Sequence, residues 1–454
     1  MHSPCCRPRS SRKAGKLEGD YPCATWLPLI CQNPAEEPIR WRAVPQKVPR
    51  QSLSQKLRPL LLTSLLVTVG VMSVRYLGGF QALELWAFDQ LLRLRPAEPP
   101  DPRLLLVTIT EQDVQQQNAQ ERRGASLSDR ALAQLLEKLR PHQPRVVGLD
   151  LYRDFPIDPA SGLAAQLQQT PQFVAVCEVG NELGESGGTK PLEGIPSERL
   201  SFSDLPIDPD GVVRRQILGM AAAPDSFCVT DTALSFRLAE RYLAMQGVQT
   251  TRDATGTVQM GETRFPQLRP DSGGYHQLDA LGYQVMLNYR NGDPPADQVT
   301  LGEILSGALD AQLAHLVRDR IVLIGTVAPS FKDDFLTPYS QSDPMQKMPG
   351  VAVQAQMTSQ LLSAVLDQRP LLRSLPRWGE AVWVWGWAVV GGGLVLICRS
   401  PLTTGLAGVG AVVVLGGISY GLLLQGLWLP ILPTAFVVLI SCSLLAVYPL
   451  QIRN

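Results

Sequence analysis

Histidine is scarce in this chain of 454 residues: His2, His142, His276 and His315 are its only four, and no two are near each other in sequence. That excludes the His-Glu-x-x-His helix of a zinc hydrolase. Cysteine does not make up the deficit. Cys5, Cys6, Cys23, Cys31, Cys177, Cys228, Cys398 and Cys442 are spread thinly, without the two paired spacings of a structural zinc site. Net charge is missing too, since 41 basic residues balance 41 acidic ones. The sharpest deficit is local. Between Trp378 and Tyr448 the only charged side chains are Glu380 and Arg399.

What fills that stretch is hydrocarbon. Three apolar runs, residues 378–397, 402–424 and 427–447, follow one another with almost nothing between them, and each has the roughly 20 residues that an α-helix needs to cross a bilayer core. A fourth run covers residues 59–79. Four transmembrane α-helices are therefore expected, and the average composition hides them because a polar middle dilutes them. A prior of about 150 residues per domain suggests roughly three units. The first 58 residues are rich in Arg, Lys and Pro and read as a basic, disordered cytoplasmic tail. No small-residue cleavage site follows the run at 59–79, so it reads as an uncleaved anchor.

Basic residues beside spans are retained in the cytoplasm. Lys56 and Arg58 place the N-terminus inside, and Arg399 and Arg453 place the loop between the second and third spans and the C-terminus inside. The uncharged turn Gln425-Gly426 falls outside. A multi-pass protein of the cell membrane is expected, with residues 82–372 outside the cytoplasm. There Cys177 and Cys228 could form a disulfide, although Cys177 lies in the apolar run Phe173 to Val179, which favours a buried free thiol. Arg75, near the end of the first span, reads as a residue snorkelling its charge to the interface.

After the first span, Ala82 to Arg95 repeats apolar residues at spacings of three and four and stops at Pro96, which predicts an amphipathic helix linking span to domain. Arg103 to Thr110 and Arg145 to Tyr152 read as buried strands around a helix over Ser126 to Arg140, a βαβ unit with parallel pairing. A short helix at Leu163 to Gln169 precedes a third strand, Phe173 to Val179. Helices at Val229 to Gln246 and Thr300 to Gly307, strands at Tyr283 to Tyr289 and Arg320 to Thr326, and a last helix at Val351 to Leu366 complete an α/β domain with a mainly parallel or mixed sheet.

Several blocks together carry a family resemblance: Leu83-Glu84 with Asp89 and Leu92 to Pro96; Val146 to Asp154; Leu205 to Arg215; Val317 to Thr326; and Lys332-Asp333-Asp334 with Met348 to Val351, Ala355 and Gln356. On these residues the segment 82–372 resembles a type-2 CHASE domain, the sensory extracellular module associated with cyclases and histidine kinases, and is similar above all to cyanobacterial members. Three spans after the domain are also the family's usual arrangement. The chain departs from it at Thr110-Glu111, where an Asp is expected, and at Gln354, where a His is common. The resemblance implies a sensor whose kinase or cyclase output follows the last span. Here Pro449 to Asn454 closes the chain, so the output is expected from a separate partner or from adjoining sequence.

Gly184-Glu-Ser-Gly-Gly188 matches the G-x-S-x-G nucleophile elbow, but Thr189-Lys-Pro191 continues as loop where the helix should start, so Ser186 reads as loop. Asp150 sits at the carboxyl end of a parallel strand, and the loop bearing Lys332, Asp333 and Asp334 follows another strand end, at Gly325-Thr326. Open α/β sheets bind ligands there. Asp150, Asp154, Gly325, Thr326, Lys332, Asp333 and Asp334 are the candidate ligand-binding residues, with solvated or turn-capping carboxylates as the plain alternative. No catalytic residue, metal, cofactor or nucleic-acid partner is expected. An exported hydrolase using the Asp150 and Asp334 region, or a structural membrane-assembly protein, are the competing readings. The glycines of the tail, Gly391 to Gly393, Gly405, Gly408, Gly410 and Gly416-Gly417, suit close helix packing within the chain or in a homodimer.

Overall fold

The computed structural model describes residues 53–180, 187–222, 224–292, 294–340, 346–398 and 400–452. The basic tail up to residue 52 with its four cysteines, Ser186 of the elbow-like motif, Arg399 and Arg453 lie outside the described residues. The chain enters through α1 (Leu53–Tyr76), turns at Leu77 to Phe80 and continues as α2 (Gln81–Arg93). Then come β1 (Asp101–Ile109), α3 (Asp129–Leu139), β2 (Val146–Asp150), α4 (Leu163–Gln169), β3 (Phe173–Cys177) and β4 (Leu200–Phe202). The second half of the domain holds β5 (Arg215–Gly219), α5 (Leu234–Ala244), β6 (Tyr283–Met286), β7 (Ala296–Thr300), β8 (Ile321–Thr326), β9 (Asp334–Phe335), β10 (Met348–Pro349) and α6 (Gly350–Leu366). The tail comprises β11 (Arg373–Ser374), α7 (Arg377–Ile397), α8 (Pro401–Leu424), β12 (Leu427–Trp428) and α9 (Ile431–Ile452).

Six strands form one sheet in the order β7-β1-β8-β2-β3-β4, and every pairing in it is parallel. The apolar strand runs explain themselves by which side each residue takes. Along β1, Leu105, Val107 and Ile109 join one core and Leu104 and Leu106 the other, and β8 divides Val322 and Ile324 from Ile321 and Leu323 in the same way. A parallel sheet buried on both faces needs such continuous runs. One face is covered by α3 through Leu132, Leu135, Leu136 and Leu139, the other by α5 and α6 through Leu234, Leu238, Val351, Ala355 and Leu361. A three-layer α/β domain results, with a small antiparallel β5·β6 pair beside it.

α6 is buried from Gly350 to Ala364 although it carries three glutamines and three hydroxyls. Each glutamine has a backbone partner. Gln356 accepts from Arg290 N at 2.7 Å and donates to Arg290 O at 3.1 Å, Gln360 donates to Met286 O at 3.2 Å, and Gln354 donates to Ser203 O at 3.0 Å. Buried amides so satisfied cost little and fix the helix in rotation. The helix also needs glycine beneath it: a Cβ on Gly325 would stand 2.5 Å from Val351 Cβ.

Among the described residues three helices are long and apolar enough to cross a membrane, over Leu57–Tyr76, Arg377–Ile397 and Pro401–Leu424, and Ile431–Leu445 of α9 is a shorter apolar stretch. α1, α7 and α9 pack through Val67, Val71, Val384, Ala388 and Val437. Gly391 allows α7 to press on α9, since a Cβ there would lie 2.6 Å from Val438 O. Gly405, Gly410, Gly416 and Gly417 instead face open space on α8.

Three expectations need correction. Residues 427–447 are not one continuous helix: Leu427 and Trp428 pair with Arg373 and Ser374 as a short parallel ladder, and α9 starts only at Ile431. Backbone hydrogen bonding at the turn outweighs the apolar character of those two residues. Cys177 is not a free thiol but is bonded to Cys228, with Cα atoms 5.5 Å apart, because the loop after β5 carries Cys228 back against the end of β3. Arg75 does not snorkel outward. It is 6% exposed and faces inward because Glu84 and Glu380 offer it carboxylates at 2.9 and 2.6 Å.

Candidate ligand-binding cleft

Chain order and strand order part company at β1. From β1 the chain moves through β2, β3 and β4 to one side, then returns to lay β7 on the other side and insert β8 between β1 and β2. Loops leaving the carboxyl ends diverge at such a point and open a crevice. A cleft of about 710 Å³ lies there. It is lined by Asp150, Tyr152, Asp154 and Phe155 after β2, Glu178 after β3, Ser203 and Asp204 after β4, Thr326, Phe331, Lys332, Asp333 and Phe335 after β8, and Gln354 of α6, with Arg123 at one side.

Asp150 ends β2 directly beside Gly325 in the ladder, so the two strand ends lie side by side. Asp154, Thr326, Lys332 and Asp333 also line the cleft, whereas Gly325 and Asp334 are not among its lining residues. Gly325 is taken up by its contact with Val351, and Asp334 by the β9·β10 ladder, in which it pairs with Pro349. Tyr152, Glu178, Ser203, Asp204 and Gln354 complete the cleft. Glu178, Ser203 and Asp204 are not legible as ligand residues in the sequence, because only the sheet order brings the ends of β3 and β4 beside that of β2. For Asp204 the one signal was its place just past a run, Leu200 to Phe202, too short to register as a strand.

The cleft's carboxylates differ from most buried acids elsewhere, although Asp113 is also without an ion pair and is held instead by Thr110 and the amide of Gly302. Asp89, Asp101, Asp129 and Asp208 each pair with arginine. Asp150, Asp204 and Asp333 form no ion pair among the described residues. Burial, and then the neighbouring Asp333, push Asp150 up to about 7, with only a hydrogen bond from Ser203 acting against them. Burial pushes Asp204 up to about 6, while the amide of Val179, donating at 3.3 Å, holds it down in part. Asp333 is raised by burial and by Asp334, and it sits where the main chain enters α6, Gly350 N donating to Asp333 O at 2.9 Å. Tyr152 Oη lies 3.1 Å from the same Ser203 Oγ. The positive side chains, Arg123 and Lys332, are exposed at the rim. Among the described residues no group of three His, Cys, Asp or Glu is placed to hold a metal ion.

Arg153 leaves this site although it lies between two of its residues. It is fully buried, donates to Leu127 O at 2.7 Å and is paired with Asp129, which clamps the turn after β2 so that Asp150 and Asp154 face the opening. The CHASE2 domain profile matches residues 65–393. This chain belongs to the CHASE2 family. CHASE2 is a sensory, extracellular-type domain and not a catalytic family, and the matched segment begins inside α1 and ends inside α7. No curated protein and no solved structure matches the chain significantly.

The CHASE2 blocks recognisable in the sequence occupy a second place as well, where the domain meets the helices. Arg214 binds Asp89 of α2 through both oxygens at 2.8 Å and also holds Asp208 and Asp210. Arg215 takes the other oxygen of Asp208 at 2.7 Å, and Tyr275 donates to Asp208 at 2.9 Å. Glu98 bridges Arg95 and Arg369, which ties the exit of α2 to the exit of α6. These charges connect elements; they do not line the cleft.

Proposed function

We propose that this CHASE2 protein is a membrane-anchored sensor whose α/β domain lies outside the cytoplasm and binds a small amine-bearing solute in the cleft at Asp150, Asp204 and Asp333. The observation that carries the reading is the set of unpaired, partly buried carboxylates beside aromatic walls at Tyr152, Phe155, Phe331 and Phe335. A cation entering there supplies the missing partner, and aromatic faces add to its attraction. Arg123 and Lys332 at the rim suit a carboxylate at the ligand's other end.

α6 is the route outward. Its N-terminal end borders the cleft through Gly350 and Gln354, and α7 begins at Arg377, eleven positions after its last residue, Leu366. A ligand shifts an equilibrium only by its differential affinity for two states, so closure on Asp333 at the start of α6 is the step that reaches the spans. α1, α7, α8 and α9 are the four spans of this reading, with the N-terminus and the loop at Arg399 inside, and a cytoplasmic kinase, cyclase or similar protein reads the change. The disulfide between Cys177 and Cys228 supports an oxidising location for the domain.

Thermal-shift screening of the full chain in lipid nanodiscs against a panel of amines and amino acids tests the site. A stabilising amine should lose its effect on Asp150→Asn and on Asp204→Asn, and undiminished stabilisation in both removes this cleft from the reading. A cytoplasm-active reporter fused after residue 250 should be silent; an active one there would invert the topology.

A further inference from the structure

A helix exposed to water turns its charges outward, and α2 does the reverse. Glu84 and Asp89 are buried against Arg75 and Arg214, and Arg93 donates to Pro338 O and Ser340 O. Its outward face carries Leu83 and Trp86, continued by Leu94 just past its end, and these are 48%, 57% and 67% exposed.

The contacts of α2 also fix its direction. Phe80, just before its start, stacks 5.4 Å from Phe436 in the second turn of α9, and Phe88 lies 4.7 Å from Trp428, in the connection between α8 and α9. Just past its end, Leu94 O accepts from Tyr420 Oη in the last turn of α8 at 2.9 Å. A helix of 13 residues is about 20 Å long, so an upright one would lift one end far from the spans. Both ends of α2 touch the same ends of the apolar helices, so it lies across them.

We infer that α2 is an interfacial helix, lying in the headgroup region of the domain-side leaflet with Leu83, Trp86 and Leu94 against lipid. This rests on the reading of α1, α7, α8 and α9 as membrane spans. Tryptophan is at home at that depth, and a helix held in the interface by its apolar face sets the height of the domain through the Asp89–Arg214 pair. The partner is the bilayer itself, met by a face in which every ionisable side chain of the helix has been turned inward.

The test uses the full chain in phosphatidylcholine vesicles and the tryptophan emission lost in Trp86→Phe, read as the Trp86 component. Lipid brominated near the headgroup should remove most of that component, and aqueous iodide should leave it. Trp385→Phe isolates a residue inside α7 as the internal reference, which lipid brominated deep in the chains should quench. Iodide quenching of Trp86 with lipid quenching of Trp385 overturns the interfacial helix and leaves the spans standing. Loss of lipid quenching at both overturns the membrane reading itself.

Discussion

Arg75 and Glu380 stand 305 positions apart in the chain, yet Nη1 of one lies 2.6 Å from Oε2 of the other, both buried where α1 meets α7. The same guanidinium holds Glu84 at 2.9 Å and donates to Gly273 O, so α1, α2, the α/β domain and α7 all converge on one arginine. Glu84 is pushed up to about 7 by burial even so, and the charge of Glu380 adds to the rise.

Arg75→Met should therefore cost roughly 3–5 kcal/mol, the penalty of leaving buried carboxylates without their partner. Adding Glu84→Gln and Glu380→Gln should recover much of the loss. Thermal unfolding in nanodiscs reads both; a single variant no less stable than the wild type would show that the triad contributes nothing.

Arg214 makes its bidentate bond to Asp89 while also reaching Asp208 and Asp210. Lysine cannot reproduce that fork. Arg214→Lys should lower stability by about 2–4 kcal/mol and raise amide hydrogen exchange in α2 ahead of the β-sheet. Uniform exchange across the domain would assign the residue to general stability instead of helix docking.

Asp150 has a folded-state value of about 7 against an ordinary one near 4. Between those values the native state binds more protons than the unfolded chain, so stability falls as pH rises from about 4 to 7. Asp150→Asn should flatten that slope and stabilise the unliganded protein above pH 7 by roughly 2 kcal/mol, discounted for partial exposure. Amine binding should run the opposite way, strengthening through the same window as the carboxylate ionises. Unfolding curves and titration calorimetry across that range check the two signs.

The Cys177–Cys228 bond closes a loop of 51 positions, which on chain-entropy grounds stabilises by about 4 kcal/mol. The Cys177→Ser, Cys228→Ser double variant should melt markedly lower. Alkylation of the denatured, unreduced wild type should label neither of these two cysteines, and labelling of both would refute the bond.

At Gly391 there is no room for a side chain against the Val438 carbonyl, whereas Gly416 faces open space. Gly391→Val should separate α7 from α9 and cost about 2 kcal/mol, and Gly416→Ala should be neutral in the monomer. A strong effect of Gly416→Ala with little from Gly391→Val would point to an interface between copies on α8.

Much of this architecture was legible in the order of residues, and for a physical reason. A helix long and apolar enough to cross a membrane is recognised by composition over about 20 residues, and a strand covered on both faces by an unbroken apolar run. Both are local properties, so α1, α7, α8, β1, β2, β3 and β8 announce themselves. β7 does not: within Ala296–Thr300 only Ala296 and Val299 are buried, as suits an edge strand.

Which strand ends become neighbours is not a local property. The insertion of β8 between β1 and β2 brings Asp333 to Asp150 across 183 positions of chain, and only the sheet order decides it. Adjacent carboxylates were separated in the same way: pairing in β9 takes Asp334 into a ladder with Pro349 and leaves Asp333 to the cleft, since successive residues of an extended chain point to opposite sides. The disulfide and the Arg75 triad depend on contacts of equally long range. Sequence periodicity settled what each segment is, and tertiary packing settled which charges meet, because periodicity is set within a few residues and pairing by the path of the whole chain.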